Sequence, residues 1–169
     1  KAFSNNIAIK AIQIPNRTVT IGLGAFEGCS NLTTIVLPFI GKEKMNVTNG
    51  EPVLTGKEGY YFDYIFGSER ATQNTKCEKI PSSLTTVVIT DNCKIIPPYA
   101  FYNGTTENIG ECSNIININI SSYVTTIYKY AFYNCVGLSN FTIPVKCTYI
   151  GEYALQYKSV TNSSISYTW

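Results

Sequence analysis

The chain has 169 residues, 44% of them apolar and 14% charged, which suits one ordinary domain with its own core and argues against a disordered chain. Its net charge of +2 comes from scattered Lys and Arg without a basic stripe, so nothing supports nucleic-acid binding. Histidine is absent, which removes the commonest general base, the usual nucleophilic triad and most zinc sites together, and no apolar run approaches the roughly 18 residues of a membrane span.

Along the chain, the opening KAFSNNIAIK has neither the apolar core nor the cleavage site of a secretory signal, so any export signal is expected to be already removed or to lie outside this sequence. Ile9, Ile12 and Ile14 then form an apolar triplet that predicts a strand over 11–14. IGLGAFEGC (21–29) follows, and a second triplet, Leu32, Ile35 and Leu37, predicts a strand over 34–37. A long insertion is expected over 41–79, containing the aromatic phrase GYYFDYIFG (59–67). Leu84, Val87 and Ile89 predict a strand over 86–89, although IPSSLTTV (80–87) also fits an opposite wall and leaves the register there open. IPPYAFYN (96–103) and a smaller insertion over 104–111 precede Ile115, Ile118 and Ile120, with a strand over 117–120. IYKYAFYNC (127–135) leads to Leu138, Phe141 and Ile143 and a strand over 140–143. After IGEYALQYK (150–158) begins, an atypical last coil or cap is expected over 152–169, with Trp169 covering an open apolar end.

The triplets share a period. Ile14 to Leu37 and Ile120 to Ile143 each span 23 residues (37 − 14 and 143 − 120), while Ile89 to Ile120 spans 31 and Leu37 to Ile89 spans 52, the excess falling in the two insertions. A fixed period in the twenties marks a solenoid, because one coil cannot bury its own apolar edge and must stack on the next. Seven residues after a triplet an isoleucine recurs, at Ile21, Ile96, Ile127 and Ile150, which predicts a second inward wall. Ala-Phe then supplies a small residue at the bend and an aromatic to fill the core. Cys29, Cys112 and Cys135 share one repeat position, and Cys93 and Cys147 another, so the cysteines are expected as a ladder of buried thiols with Cys77 the exception. A disulfide framework is the alternative.

The phrases LTTIVLP, IGLGAFEGC, FTIP and IGEYAL together resemble the BspA-like leucine-rich repeats of bacterial and some protist surface proteins, over residues 7–158 apart from the insertions. LPFIG, FDYIFG and IPSSLTTVVIT are likewise similar to a cassette found in such proteins. The resemblance implies a repeat solenoid of the leucine-rich-repeat class, one parallel strand per coil of about 23 residues, with about five coils in a single domain over 1–169. It implies a non-catalytic recognition or adhesion module, secreted or on the cell surface, that binds an extracellular protein or glycan. No catalytic residue, cofactor, metal, nucleic acid or membrane insertion comes with it. Two alternatives stand beside this reading: a carbohydrate-binding or carbohydrate-active accessory domain using the aromatic insertion, and a structural spacer whose solenoids associate end to end.

The partner face is expected on the strand residues that alternate with the inward ones: Gln13, Thr34 and Val36, Thr86 and Val88, Asn117 and Asn119, Asn140 and Thr142. It is uncharged and able to hydrogen-bond, but not to steer by charge. Tyr60, Tyr61 and Tyr64 form the other candidate, either as a protruding aromatic grip for a partner or sugar ring, or in a phrase whose Phe62, Ile65 and Phe66 plug the insertion onto the solenoid. Partner binding is expected to lean to this insertion, and replacing 42–78 by a short linker is expected to leave the solenoid folded. Asp63, near Glu58 and Glu69, is expected to solvate a loop rather than to form half of a glycosidase pair. GLGAFEG superficially matches a dinucleotide-binding turn, but other copies carry Pro97 or Tyr128 where Gly22 stands, so its glycines are turn residues. Asn-x-Ser/Thr sites occur at Asn16, Asn31, Asn46, Asn103, Asn119, Asn140 and Asn162, where the repeat template and composition account for many of them.

Overall fold

The computed structural model describes residues 1–48, 59–72, 74–139 and 141–156, with the backbone alone at 51–52. In chain order the strands are β1 (Ala11–Gln13), β2 (Thr34–Leu37), β3 (Val47–Thr48), β4 (Glu51–Pro52), β5 (Thr86–Ile89), β6 (Ile95–Ile96), β7 (Asn117–Ile120), β8 (Thr126–Ile127) and β9 (Tyr149–Ile150). Strands β1, β2, β5 and β7 lie parallel in that order, with Ile12 beside Ile35, Ile35 beside Val87 and Val87 beside Ile118. Strand side chains alternate, so this register stacks like on like: Ile35, Leu37, Val87, Ile89 and Ile118 are buried. The open register at IPSSLTTV is thereby settled, because Thr86 pairs directly with Thr34. Strands β6, β8 and β9 form the opposite wall, with Ile96, Ile127 and Ile150 in parallel register.

Two expected wall segments differ. Ile21 joins no parallel strand; its N–H donates to the Lys42 carbonyl at 2.7 Å, and Thr20 bridges Glu43 antiparallel, because the insertion occupies that side of the first coil. The strand over 140–143 is not formed by its described residues, and Asn140 lies outside them. Phe141 is buried, Ser139 N–H donates to the Ile116 carbonyl at 3.0 Å, and Pro144 follows without an N–H to extend a ladder. Residues 157–169 of the expected cap, Trp169 included, also lie outside the described residues.

The Ala-Phe turns stack coil on coil. Phe3 N–H donates to the Ala25 carbonyl at 2.8 Å, Phe101 to Ala131 at 2.7 Å and Phe132 to Ala154 at 2.8 Å. The residue before each alanine has a left-handed backbone: φ is 65° at Gly24, 56° at Tyr99, 57° at Tyr130 and 55° at Tyr153. Gly24 is therefore a turn residue whose place in other copies is held by a strained tyrosine.

The insertion completes this stack. Its 3₁₀ helix Phe62–Phe66 accepts Gly24 N–H at Tyr64 (3.1 Å) and Phe26 N–H at Ile65 (2.9 Å) on one side, and on the other Phe62 N–H donates to the Ala100 carbonyl (2.8 Å). One phenylalanine column runs Phe3, Phe26, Phe66, Phe62, Phe101, Phe132, with successive centroids 5.4, 6.4, 5.4, 4.7 and 5.3 Å apart. The insertion thus stands where a regular coil's Ala-Phe turn would be. It is core, not appendage.

The cysteines correct the thiol ladder in part: Cys93 is buried as expected, but Cys147, at the same repeat position, is only half-buried. Cys29 and Cys135 keep the expected role, each thiol 3.1 Å from the carbonyl of a neighbouring coil's phenylalanine, Phe3 and Phe101. Cys112, at the same repeat position, is instead disulfide-bonded to Cys77, whose Cα lies 5.7 Å away. The returning insertion brings Cys77 alongside: its N–H donates to the Tyr102 carbonyl, and its carbonyl accepts Glu111 N–H at 2.9 Å. The bond ties the end of the long insertion to the small one.

Candidate functional site

The outer face of the main sheet lies where the alternation puts it. Two rows cross the coils, Ala11, Thr34, Thr86, Asn117 and Gln13, Val36, Val88, Asn119, each in strand register. Gln13, Asn119 and Thr142 are exposed; Thr34, Val36, Thr86, Val88 and Asn117 are half-buried by their neighbours on the pleat. Asn140 lies outside the described residues. Past the strand ends the face deepens into an open groove of about 360 Å³ lined by Val88, Asn119, Thr90, Asp91, Ser121 and Asn16, among others. Asn16 reaches across a coil to form the lip, its side-chain oxygen accepting the Thr90 hydroxyl at 2.7 Å and its carbonyl accepting the Asn92 amide at 2.7 Å. Ser121 donates to the Asp91 carboxylate. The groove therefore offers short polar groups fixed by their own bonds, suited to reading hydroxyls or peptide groups.

The aromatic insertion is placed differently from a protruding grip. Tyr61 is 8% exposed, and Tyr60 and Tyr64 are half-buried. Phe62, Ile65 and Phe66 are fully buried, as the plug reading requires. The inward turn has an electrostatic cause as well as an apolar one. Asp63 does not solvate a loop: it is buried in an ion pair with Arg70, Oδ1 accepting Nη2 at 2.7 Å and Nε at 3.0 Å. Oδ2 accepts Glu78 N–H at 2.9 Å, Arg70 Nη1 donates to the Tyr99 carbonyl at 2.9 Å, and the guanidinium lies 4.6 Å from the Tyr61 ring centroid. Burial pushes the Tyr61 phenol up, opposed by the hydrogen bond from Arg70 N–H. Asp63 and Arg70 thus lock the insertion, and the pair is spent on structure. Asn103, a sequon residue, is likewise buried, its side-chain oxygen accepting Cys112 N–H at 3.0 Å and its amide donating to the Asn134 carbonyl at 3.2 Å. No glycan fits there.

One organised surface escaped the sequence reading. Tyr99, Tyr130 and Tyr153 stack in one column, 5.0 and 5.1 Å between centroids, and Tyr102 and Tyr133 in a second at 5.4 Å, with Tyr102–Tyr130 and Tyr130–Tyr133 contacts joining the columns. Burial pushes the phenols of Tyr99, Tyr102 and Tyr130 up. The signal was present: YAFY occurs twice and YAL once, which puts tyrosine before the alanine in three copies and after the phenylalanine in two. The faces between Tyr99 and Tyr130 and between Tyr102 and Tyr133 are used in stacking, whereas Tyr153, tilted by 33° at the end of its column, is 46% exposed.

Among the described residues no three His, Cys, Asp or Glu side chains converge into a group that could hold a metal ion. The family model for the BspA type leucine rich repeat region matches the chain in 6 copies over residues 1–46 and 76–168, leaving out most of the insertion. No curated protein matches the chain. A leucine-rich repeat protein from Eubacterium ventriosum is similar in structure, with a TM-score of 0.51 and 21% identity over 93% of this chain and 32% of that one. One from Bacteroides ovatus has a TM-score of 0.34 and 17% identity over 87% of this chain and 46% of that one. The chain thus spans about a third of the first protein's length, and the likeness is one of fold.

Proposed function

We propose that this chain, which belongs to the BspA-type leucine-rich-repeat family, is a non-catalytic recognition module of a secreted or surface protein that grips an extracellular protein or glycan on its outer sheet face. The observation that carries the reading is the unbroken pair of rows across β1, β2, β5 and β7, which runs past a long insertion without interruption and ends in the polar groove at Asn16, Thr90 and Asn119. A face of short side chains, uncharged along its two rows and carrying Asp91 in the groove, binds by shape and hydrogen bonds, which needs a repeated scaffold and no reacting group. The disulfide between Cys77 and Cys112 supports an oxidising compartment. The carbohydrate reading through the aromatic insertion loses its support, because Tyr61 is buried and no tyrosine of the phrase is fully exposed.

The test places a long charged side chain on the face. T86R and N117R are expected to keep the wild-type far-UV circular dichroism and to weaken capture of partners on extracellular-matrix and glycan arrays at least tenfold. Wild-type capture by both variants, with the fold intact, would assign binding to another surface.

A further inference from the structure

Where the start of the insertion lies against the turn after β5, it leaves a cavity of about 230 Å³. Its walls are apolar, built by Phe39, Ile40, Met45, Ile95 and Pro97, and Phe39 and Ile40 are only 2% and 1% exposed. Two exposed lysines, Lys44 and Lys94, are also part of its lining. Lys44 donates to the side-chain oxygen of Asn92 at 2.8 Å and Lys94 to the backbone carbonyl of Asp91 at 2.9 Å, so each is held by a neutral acceptor. Lys94 is further fixed by the Tyr123 ring, whose centroid lies 4.3 Å away. Among the described residues neither lysine is ion-paired with a carboxylate. Each ammonium keeps protons to donate. Apolar walls and two lysines without a carboxylate partner among the described residues thus line one small space.

We propose that this cavity binds a compact apolar body carrying one carboxylate, with the body against Met45 and Ile95 and the carboxylate between Lys44 and Lys94. Charge-assisted bonds are roughly twice as strong as neutral ones, which selects an acid over an alcohol of the same shape. The polar groups of the lining, Lys44, Lys94 and Asn92, are few beside the apolar walls, which suits one acidic group better than the many hydroxyls of a sugar. The volume lies below the roughly 300–1,000 Å³ of drug-sized sites, which limits the body to a short chain or one side chain. Two sources supply this chemistry: a free short-chain acid, and the last residue of a peptide with a free C-terminus.

Met45 is the single methionine of the chain, so protein labelled with ¹³C at the methionine methyl gives one side-chain signal from the cavity wall. It is titrated with hexanoate, hexanol, acetyl-Ala-Leu and acetyl-Ala-Leu amide. A saturable shift is expected with at least one of the two acids, and at least tenfold weaker binding of its neutral counterpart. Hexanoate alone assigns the free acid, and acetyl-Ala-Leu alone the peptide terminus. K44Q/K94Q is expected to bind at least tenfold more weakly, and K44R/K94R to retain binding. If K44Q/K94Q loses the native methyl signal, the acid-against-neutral comparison in wild-type protein and the arginine variant decide. No shift with either acid, equal binding of acid and neutral counterpart, or unchanged binding by a folded K44Q/K94Q would overturn the proposal.

Discussion

Phe62→Ala tests whether the insertion is part of the core. Phe62 is fully buried, with Phe66 at 5.4 Å on one side and Phe101 at 4.7 Å on the other. Truncating a buried phenylalanine costs about 3–5 kcal/mol, and the two ring contacts, at roughly 0.5–1.5 kcal/mol each, favour the upper half of that range. For a domain of this size each kcal/mol moves the midpoint by roughly 2–4 °C, so the melting temperature should fall by about 8–20 °C. Urea denaturation followed by circular dichroism gives the free energy directly, and Phe132→Ala, at the regular repeat position, sets the scale. Tyr60→Ala, half-buried beside it, is expected to cost about 1 kcal/mol or less. If Phe62→Ala costs no more than Tyr60→Ala while Phe132→Ala shows the full loss, the insertion is a satellite and the continuous phenylalanine column is wrong.

Thiol titration under non-reducing conditions should find few reactive groups in the native protein, since Cys29, Cys93 and Cys135 are buried and burial pushes the Cys93 thiol up to about 11. Denaturation without reductant should release four thiols, six cysteines less the Cys77–Cys112 pair, and six after reduction; six without reductant would refute the disulfide. Asp63→Leu is expected to cost about 3–5 kcal/mol by stranding the Arg70 charge, and Asp63→Leu/Arg70→Met much less, as an apolar pair replaces a buried ionic one; equal costs would mean that Arg70 finds another counter-charge. The raised phenols of Tyr99, Tyr102 and Tyr130 keep their protons in the folded state where the unfolded chain has lost them. Their stability is therefore fully present below the unfolded value near pH 10 and is lost as pH rises above it, which denaturant midpoints between pH 9 and 11.5 would show. A midpoint flat through that range would remove the tyrosine plate from the stability account.

What the sequence made legible was whatever repeats. The triplets at Ile9, Leu32, Leu84 and Ile115 gave four parallel strands in register, because period-two alternation with a constant coil length leaves one way to stack. The isoleucines seven residues on gave the second wall at Ile96, Ile127 and Ile150. The Cys77–Cys112 pairing was not legible. Cys112 carries the repeat's own cysteine position, and its partner comes from a segment with no period, 35 residues away. Asp63 and Arg70 were hidden for the same reason, since a charge in a loop reads as solvated until something shows the loop folding inward. The aromatic density of GYYFDYIFG was plain but its direction was not, because plugs and grips use the same residues. The tyrosine columns needed a comparison between copies of the positions flanking Ala-Phe.

The route of the insertion explains why face and core separate. Leu37 and Thr86 belong to neighbouring strands, with Thr34 in register with Thr86, so the chain between them must leave the sheet and return without widening a strand spacing of about 4.8 Å. Any detour on the sheet side would cover Thr34 and Thr86 and break the rows. The insertion's described residues 59–72 instead lie on the turn side, where the phenylalanine column lacks a regular Ala-Phe turn, and fill that place with Phe62, Ile65 and Phe66. Stability is thereby gathered on the turn side, in the column, the Asp63–Arg70 pair and the disulfide. The sheet side carries none of these and is open to substitution. Changes at Thr86 or Asn117 should therefore alter binding with little loss of stability, whereas changes at Phe62 or Asp63 should do the reverse.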